Sequence, residues 1–407
     1  MLTKFSTELV RQQNSVLVLS ALRRFGAASH TEIAAKTGLA SGTVSAITAD
    51  LERAGVLEKK EQQGHGGRGR PRVLFSQRRD CGYLIAMRIS SDTVQYSLVD
   101  YSGRLIDRFE EARNHGSGGA DAFPGEVKDA LSRLASRSQI DRNAVLAISI
   151  SSKGTVDAAA PTLLWSPLFG SRQFDFSALL QPEWRAKISL NNETLLVAQA
   201  LALKAEKAPE SRFQALAALS LGHSVGLGIA RRNRQGELEV TAPNFGHMLH
   251  SPQGGLCRCG SYGCIEASAG FYGILRSAFQ VPPDTIPAKF VPLAEMEKIA
   301  ASARQGNRMA EYAFRQAGVA LGNGLSRLMS FYERMPIHIT GPGTRFFDLL
   351  QRGIDEGLAQ SHAVRLQGMP EISVNSDEQS LVFEGHLDRA LTDADQDIVM
   401  TKVSSGS

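Results

Sequence analysis

The spacing of apolar side chains predicts three helices in the first fifth of the chain. Apolar residues recur at helical intervals over Thr7–Phe25, and Gly26 ends the run. A short helix is predicted over residues 29–39, and a third begins near Ser41. The third helix is expected to bury one stripe of side chains: Val44, Ile47 and Leu51. Two short helices joined by a glycine-containing turn are typical of a helix-turn-helix.

Downstream, alternating or wholly apolar runs are separated by longer segments of helical spacing. Strands are predicted at 83–89, 94–99, 144–151, 187–190, 216–221, 337–340 and 371–374. Helices are predicted at 126–136, 195–204, 267–279, 294–304, 308–332, 346–358 and 378–391. This alternation indicates an α/β body. The end of the chain, residues 392–407, is rich in Asp and Ser, and we expect it to be frayed.

Composition and charge narrow the class of protein. The chain has 407 residues, of which 43% are hydrophobic, so two or three domains are expected. Neither a secretory signal pattern nor a long uncharged apolar run is present, which predicts a cytoplasmic protein without a membrane partner. The net charge is +4, but residues 1–80 carry 13 Lys/Arg against 7 Asp/Glu. The positive charge is thus concentrated in the helical head, which indicates a polyanionic partner for the head.

The segment after the third helix favours double-stranded DNA as that partner. Residues 57–60 and 73–75 read as two strands, and the basic, glycine-rich stretch G-H-G-G-R-G-R-P-R at 64–72 connects them. Such a wing can place guanidinium groups in a minor groove, while the start of the third helix enters the major groove. The predicted DNA-binding residues are Ser41, Gly42, Thr43, Ser45, Thr48, Arg68, Arg70 and Arg72. An ordinary helical hairpin with a solvated charge run is the alternative.

Three of the four cysteines, Cys257, Cys259 and Cys264, fall within eight residues and are interleaved with glycines. Thiolates and one imidazole are the ligands that Zn²⁺ prefers, and glycines allow so short a loop to fold inward. We predict a structural zinc site with His247 as the fourth ligand, although the spacing leaves His250 open. A disulfide pair or free buried thiols are the competing interpretations, and the missing signal sequence disfavours the disulfide.

On these motifs the chain resembles the ROK family. Residues 10–80, with G-R-G-R-P in the wing, are similar to the winged helix-turn-helix of ROK repressors, and the C-x-C-G-x-x-G-C-x-E stretch resembles the ROK signature. The resemblance implies a winged helix-turn-helix followed by a two-lobed, actin-like (ribonuclease H-like) sugar-kinase fold. The implied domains are residues 1–80, a first α/β lobe at 81–191, and a second lobe with the zinc loop at 192–391.

The same resemblance shows where this chain departs from sugar kinases. Their phosphate loop, D-x-G-G-T, is replaced here by residues that cannot hold magnesium and a polyphosphate: Arg88, Ser90, Ser91 and Asp92. We therefore predict no kinase activity. Glu193 stands where kinases carry the aspartate base, so it would be catalytic only if the protein were a kinase. Helix-capping polar residues at that corner are an equally good interpretation.

Sugar contacts of the family are partly retained. Asn192, His247 and Glu266 match the family pattern, whereas Leu168, Glu193 and Asn244 depart from it. The predicted effector-binding residues are Asn192, Glu193, Asn244, His247 and Glu266. The resemblance implies a homo-oligomeric repressor, a dimer or dimer of dimers, that binds a DNA operator near carbohydrate genes and senses a sugar or sugar phosphate. A bifunctional sugar kinase, or a regulator controlled by a protein partner, are the alternatives.

Overall fold

The computed structural model describes residues 7–62, 72–114, 118–207 and 213–403. Its N-terminal head has the predicted helix-turn-helix and the base of the wing. The elements are α1 (Thr7–Phe25), α2 (His30–Thr37), α3 (Ser41–Arg53), β1 (Leu57–Gln62) and β2 (Arg72–Gln77). The two strands pair antiparallel. A capping box of Ser29 and Glu32 starts α2, and Gly38, with φ of 73°, ends it.

The first lobe of the body is a mixed sheet with one long helix. Its elements are β3 (Tyr83–Ile89), β4 (Thr93–Asp100), β5 (Leu105–Ala112), α4 (Gly119–Arg137), β6 (Val145–Ser152), β7 (Thr155–Val156), β8 (Thr162–Trp165), β9 (Phe174–Asp175), α5 (Phe176–Leu180) and β10 (Lys187–Asn192). The short strands β7, β8 and β9 form a separate antiparallel sheet. The apolar pattern alone did not predict this small sheet.

The second lobe is richer in helices. Its elements are α6 (Glu193–Lys207), β11 (Ala215–Leu221), β12 (Val225–Arg232), β13 (Leu238–Thr241), α7 (Ile265–Ala269), α8 (Phe271–Ala278), α9 (Leu293–Arg304), α10 (Arg308–Phe331), β14 (Ile337–Thr340), α11 (Phe347–Ala359), α12 (His362–Gln367), β15 (Ile372–Val374) and α13 (Glu378–Ile398). The helix predicted at 267–279 is in fact α7 and α8, because Gly270 adopts an extended conformation between them.

The two lobes repeat one sheet topology. The first sheet has the order β10-β6-β3-β4-β5, and the second has the order β13-β12-β11-β14-β15. In each, the first three strands along the chain form an antiparallel meander. The next strand pairs in parallel with the first strand of the meander, β6 with β3 and β14 with β11, and the last strand pairs in parallel with that one, β10 with β6 and β15 with β14. This duplication confirms the two-lobed, actin-like fold.

Helix α10 packs closely on α11 because glycines face each other. A side chain on Gly318 or Gly322 would collide with the backbone of α11. Glycine at these positions therefore permits the close packing of the two helices. No helix in the described part of the chain combines the length and the apolar character needed to cross a bilayer.

The expectation that residues 392–407 are frayed is wrong for the described part, which ends at Val403. Helix α13 continues to Ile398, and a π-helical turn follows over Val399–Val403. Apolar side chains between the Asp and Ser residues give the reason. Ala394, Ile398 and Val399 are buried in one apolar cluster with α1 of the head and with β3 and β4. The end of the chain thus joins the head to the body.

Candidate functional site

The start of α3 presents small polar side chains to solvent. Ser41, Gly42 and Ser45 are exposed, and Thr43 is half-buried. Ala46 and Ala49, one helical turn further along, extend the same exposed face. Sequence reasoning left these two alanines out, although their spacing from Gly42 and Ser45 could have identified them.

The prediction that Thr48 contacts DNA is wrong. Its side chain is fully buried. The Thr48 hydroxyl donates to the carbonyl oxygen of Val44 at 2.9 Å and bonds the Nε2 of His30 at 2.8 Å. Thr48 lies one turn from Val44 and so shares the helix face that packs inside the head.

The predicted wing residues are only partly described. Arg68 and Arg70 lie outside the described residues. Arg72 begins β2, where its backbone is opposite Gln62. The basic residues of the wing therefore stay a prediction for DNA contact.

Four side chains of the zinc-loop region converge on one point. The ligand atoms of His247, Cys257, Cys259 and Cys264 all lie within 4.8 Å of one another, and this group, the Cys/His cluster, could hold a metal ion. His250 is not among them, so the structure selects His247 between the two candidates.

Two distances within the Cys/His cluster match those of a tetrahedral site. The Sγ atoms of Cys259 and Cys264 are 3.7 Å apart, and Cys257 Sγ lies 3.6 Å from His247 Nδ1. With Zn–S of ~2.3 Å and Zn–N of ~2.0–2.1 Å, tetrahedral angles require about 3.8 Å between sulfurs and about 3.6 Å between sulfur and nitrogen. The four residues therefore fit zinc in both donor type and spacing.

The loop is closed by turns that glycine permits. Gly263 has φ of 73° and lies against the backbone of Ser251, where a Cβ atom would collide. Isolated bridges pair Leu249 with Cys264 and Leu256 with Tyr262. These contacts bring Cys264 back onto the turn that carries Cys257 and Cys259.

Two of the three thiols, those of Cys257 and Cys264, are buried in surroundings that disfavour their charge. Cys259 is half-buried, and although burial acts to raise its pKa, hydrogen bonds with Ser261, Cys257 and Cys264 lower it. Burial, assisted by the negative charge of Glu266, raises the pKa of Cys257 to about 11, and burial also raises the pKa of Cys264. The hydroxyl of Tyr272 donates to Cys257 Sγ at 3.4 Å. A bound cation would supply the charge that converts these thiols to thiolates.

A cleft lies between the lobes, beside the Cys/His cluster. Four of the five predicted effector-binding residues line it: Asn192, Asn244, His247 and Glu266. The structure adds Lys153, Trp165 and Ser224 to its wall. They come from separate segments of both lobes, so only the fold could bring them to one place.

Glu266 is the buried acceptor of this cleft. One carboxylate oxygen, Oε2, accepts the backbone N–H of Val225 at 3.1 Å. The other, Oε1, is buried and has no partner among the described residues. Burial raises the pKa of Glu266, against the opposing positive charges nearby, which include Arg258 and Lys153. Glu266 is therefore available to accept a hydroxyl donor from a ligand.

The side chains of Asn192 and Asn244 differ in their hydrogen bonds within the protein. Asn192 donates to the carbonyl oxygen of Gly154 at 2.7 Å and accepts from the backbone N–H of Thr194 at 2.9 Å. It thus fixes the turn that carries Lys153. The Asn244 side chain is exposed and has no hydrogen bond to another described residue. Asn244 is the more available of the two for a ligand.

The structure does not bring Glu193 to this cleft. Its side chain is buried, and its Oε1 accepts from the Nε of Arg88 at 2.7 Å. The same guanidinium reaches Glu378 Oε2 at 3.0 Å. These three residues form the Arg88 cluster, which links β3 to the first residues of α6 and α13.

The Arg88 cluster is extended by two hydroxyls. Ser220 and Thr340, from the second sheet, donate to Glu378 Oε1, the latter at 3.2 Å. Burial acts to raise the pKa of Glu378, but the positive charges of Lys153 and Arg88 and these hydrogen bonds outweigh it, so the pKa is lowered. Glu378 is ionised and is held by both lobes.

Ser90, Ser91 and Asp92 form the tight turn between β3 and β4. The Ser90 hydroxyl donates to the carbonyl oxygen of Thr93 at 2.9 Å and lies 3.2 Å from Asp92 Oδ1. The turn is thus closed by its own side chains. Arg88, just before it, is engaged by Glu193 and Glu378.

In comparisons with known proteins, the head and the body match two different family models. The model of the ROK family matches residues 85–378. A model described as winged helix-turn-helix DNA-binding matches residues 12–58. The xylose repressor of Caldicellulosiruptor bescii is 25% identical over 369 residues, 86% of this chain and 88% of that protein. The DNA-binding transcriptional dual regulator NagC of Escherichia coli is 21% identical over 368 residues, 86% of this chain and 85% of that protein.

Solved structures give the same division. A ROK family transcriptional regulator, a homolog of the E. coli MLC protein, superposes with a TM-score of 0.72 at 21% identity and covers 97% of this chain and 99% of its own. A ROK glucokinase from Streptomyces griseus, in complex with glucose and AMPPNP, superposes with a TM-score of 0.56 at 21% identity. It covers 76% of this chain and 99% of its own. Of these two structures, the regulator extends the match to nearly the whole chain.

Proposed function

Because the chain belongs to the ROK family and carries a winged helix-turn-helix head, we propose that it is a transcriptional repressor of carbohydrate uptake or catabolism genes. Its body binds a sugar or sugar phosphate and does not phosphorylate it. The observation that carries this proposal is the joining of a DNA-binding head to a ROK body in one chain. The xylose repressor of C. bescii, similar over 86% of the chain, supports it.

The Arg88 cluster supports a body without kinase activity. In sugar kinases that the sequence resembles, the residue at the Glu193 position takes a proton from the sugar hydroxyl. Here the Glu193 carboxylate is bonded to Arg88 and does not line the cleft. A guanidinium cannot ligate Mg²⁺. With Arg88 at the end of β3, this position does not favour the binding of a metal-bound nucleotide. Purified protein with ATP and a sugar panel should form no sugar phosphate.

We further infer that the Cys/His cluster binds Zn²⁺. His247, Cys257, Cys259 and Cys264 provide four protein ligands, which leaves no open position for a water or substrate. The role of the ion is therefore structural. It fixes His247, whose ring contacts Trp165 edge-on at 5.0 Å, in the wall of the cleft.

For DNA binding, we propose a homodimer that places two α3 helices in successive major grooves. Half-sites would then be about 34 Å apart, one turn of the double helix. Ser41, Gly42 and Ser45 face outward for this contact, with Thr43 at its edge. The basic wing follows the same helix and would reach the adjacent minor groove.

Helix α13 connects the cleft to the head. Its first residue, Glu378, belongs to the Arg88 cluster, and Asp395 near its end bonds Arg23 of α1 at 2.8 Å. Asp395 also accepts from the buried hydroxyl of Tyr101 in the first lobe. A helix of this length spans about 30 Å. A ligand that changes the angle between the lobes would move α13, and α13 would move the head.

A gel shift on the DNA upstream of the protein's own operon tests the proposal. The wild-type protein should bind a specific site, and its affinity should fall with added salt because phosphate contacts release counterions. Ser45→Asp places a carboxylate on the exposed face of α3 and should abolish specific binding. Ser171→Asp makes the same change at an exposed position of the body and serves as the matched control.

Two results would count against the proposal. One is wild-type binding that does not prefer any sequence. The other is equal operator affinity in the Ser45→Asp and Ser171→Asp proteins, which would exclude α3 as the reading helix.

A further inference from the structure

The three cysteines of the Cys/His cluster differ in their access to solvent. Cys259 is half-buried, whereas Cys257 and Cys264 are buried. The susceptibility of a cysteine to oxidation follows its exposure and its thiolate character, and metal ligation supplies the thiolate character. A small oxidant in solution therefore reaches the Cys259 sulfur more easily than either of the other two.

Cys264 is the cysteine best placed to form a disulfide with Cys259. The Sγ atoms of the two residues are 3.7 Å apart. Rotation of the two side chains can close the remaining gap to an S–S bond of ~2.05 Å. The half-buried sulfur thus has a buried partner within reach.

Cys257 is less suited to pair with Cys259. Its Sγ atom lies 3.6 Å from His247 Nδ1 and accepts from the hydroxyl of Tyr272 at 3.4 Å. Cys257 and Cys259 are also separated by one residue, and a disulfide across so short a segment departs from the usual geometry. Of the two buried thiols, Cys264 is therefore the partner.

The loop from Cys259 to Cys264, which reads C-G-S-Y-G-C, is folded so that its two ends meet. Gly260 and Gly263 have φ angles of 89° and 73°, which glycine adopts without a steric cost. Because the ends of the loop are close before any bond forms, closing a disulfide there orders little additional chain.

We propose that Cys259 and Cys264 are a site of reversible oxidation, with a hydroperoxide as the oxidant. Attack of the Cys259 sulfur on hydrogen peroxide forms an S–O bond, breaks the O–O bond and releases one water. Attack of the Cys264 sulfur on the resulting sulfenic acid forms the S–S bond, breaks the S–O bond and releases a second water. The two thiols lose two electrons and two protons, and the peroxide gains them.

Oxidation would withdraw two of the four metal ligands. Cys257 and His247 would remain, and a structural zinc site takes four protein ligands. His247 lines the cleft and contacts Trp165, and Cys264 directly precedes α7, which carries Glu266. The disulfide would thus release zinc and disturb the cleft wall. This inference rests on the proposed function, because it concerns the regulation of the same zinc site.

Treatment of the reduced, zinc-loaded, full-length protein with hydrogen peroxide tests the inference. Before treatment the chain should hold one zinc ion and four free thiols. Afterwards two thiols should be lost, and the zinc should be detected in solution with a chromogenic chelator. Peptide mass spectrometry should find Cys259 and Cys264 joined, with the loss of two hydrogens. Dithiothreitol followed by zinc should restore both the thiols and the bound metal.

Three variants check the assignment of the pair. Cys81→Ser removes the cysteine outside the cluster and should leave zinc release and the disulfide unchanged. Cys257→Ser should lower the zinc content, yet peroxide should still join Cys259 and Cys264, because both thiols of the pair remain. Cys259→Ser should form no disulfide within the loop.

The inference is overturned if the peroxide-treated wild-type protein keeps its zinc and all four thiols. It is also overturned if the new disulfide joins another pair of cysteines, or if Cys259 is oxidised to a sulfinic acid without a disulfide. Protein that holds no zinc before treatment would contradict the proposed zinc site instead, and the disulfide mapping would still decide whether the two cysteines react. A gel shift on the untreated protein reports separately on the proposed repressor.

Discussion

The ROK body contains two clusters of groups that can carry negative charge, the Arg88 cluster and the Cys/His cluster. They differ in whether a side chain of the cluster supplies the balancing positive charge. In the Arg88 cluster, the carboxylates of Glu193 and Glu378 bind a guanidinium that belongs to the chain. In the Cys/His cluster, three thiols and an imidazole converge within 4.8 Å, and the ligand set contains no cationic side chain. The Arg88 cluster contains its own counter-charge, whereas the Cys/His cluster could hold a metal ion.

The pKa values of the two clusters reflect this difference. Positive charges lower the pKa of Glu378 despite its burial. Burial raises the pKa of Cys257 and Cys264. A guanidinium at the end of β3 disfavours Mg²⁺ there by charge repulsion, whereas a cluster that consists only of donors could hold a metal ion.

The largest expected effect is the loss of the metal. Cys264→Ser should lower zinc content and stability together, because ligation free energy is folding free energy, ~10 kcal/mol or more for structural zinc in zinc-finger peptides. Metal analysis by mass spectrometry and thermal unfolding measure the two quantities. Cys81→Ser is the matched control, since Cys81 lies outside the cluster. An unchanged ratio of zinc to protein in Cys264→Ser would contradict the proposal that the Cys/His cluster binds zinc.

Next comes the loss of the internal cation. Arg88→Met should destabilise the protein by about 3–5 kcal/mol, because it removes the guanidinium that pairs with two buried carboxylates. Urea unfolding measures this change. Arg304→Met breaks an exposed pair with Asp348 and should cost at most about 1 kcal/mol.

A second substitution distinguishes charge from packing. If the Arg88→Met defect comes from unpaired carboxylates, adding Glu193→Gln should restore part of the stability. No recovery in the double variant would mean that the Arg88 side chain matters for its volume and not for its charge.

The two clusters also differ in how well the sequence predicts them. The cysteines lie within eight residues, so their spacing alone indicated a metal site. Arg88 is 105 residues from Glu193 and 290 from Glu378, and no local pattern connects them. The family resemblance predicted Arg88 in the place of a kinase carboxylate, but only the fold shows what Arg88 binds. The convergence of His247 with the three cysteines followed from a motif, whereas long-range ion pairs follow from packing.

A similar limit explains the two clearest errors of the sequence-based predictions. Thr48 was assigned to DNA because it is small and polar, yet its hydroxyl bonds inside its own helix and to His30. The end of the chain was assigned to a frayed tail because of its Asp content, yet Asp395 is buried against Arg23. In both cases a polar side chain is satisfied within the protein, and composition alone does not reveal the partner.

The junction between head and body gives a smaller effect. Asp395→Asn keeps one acceptor for Arg23 and Tyr101 but removes the charge, so we expect a loss of about 1–3 kcal/mol in unfolding free energy. Operator affinity should then respond less to ligand, while calorimetric ligand affinity stays the same. An unaltered response would show that the signal reaches the head without this contact. Asp348→Asn, at an exposed ion pair with Arg304, is the control.

The smallest effect is a pH dependence beside the Arg88 cluster. His386 of α13 is fully buried between the hydroxyls of Ser149 and Ser151. Burial, followed by the charge of Arg88, lowers its pKa to about 3, against an ordinary value of about 6.5. Between these values the unfolded chain binds a proton here that the folded protein does not, so stability falls as the pH falls below about 6.5.

This difference predicts a loss of about 1.4 kcal/mol between about pH 7.5 and about pH 5.5 from His386 alone. His386→Gln should remove that share of the pH dependence in urea unfolding, and His362→Gln, an exposed histidine, should not. Comparing the two variants also cancels the acid sensitivity of the Cys/His cluster, which both retain. Identical pH profiles in the two variants would mean that His386 does not cause the loss of stability in acid and that the Cys/His cluster is its main source.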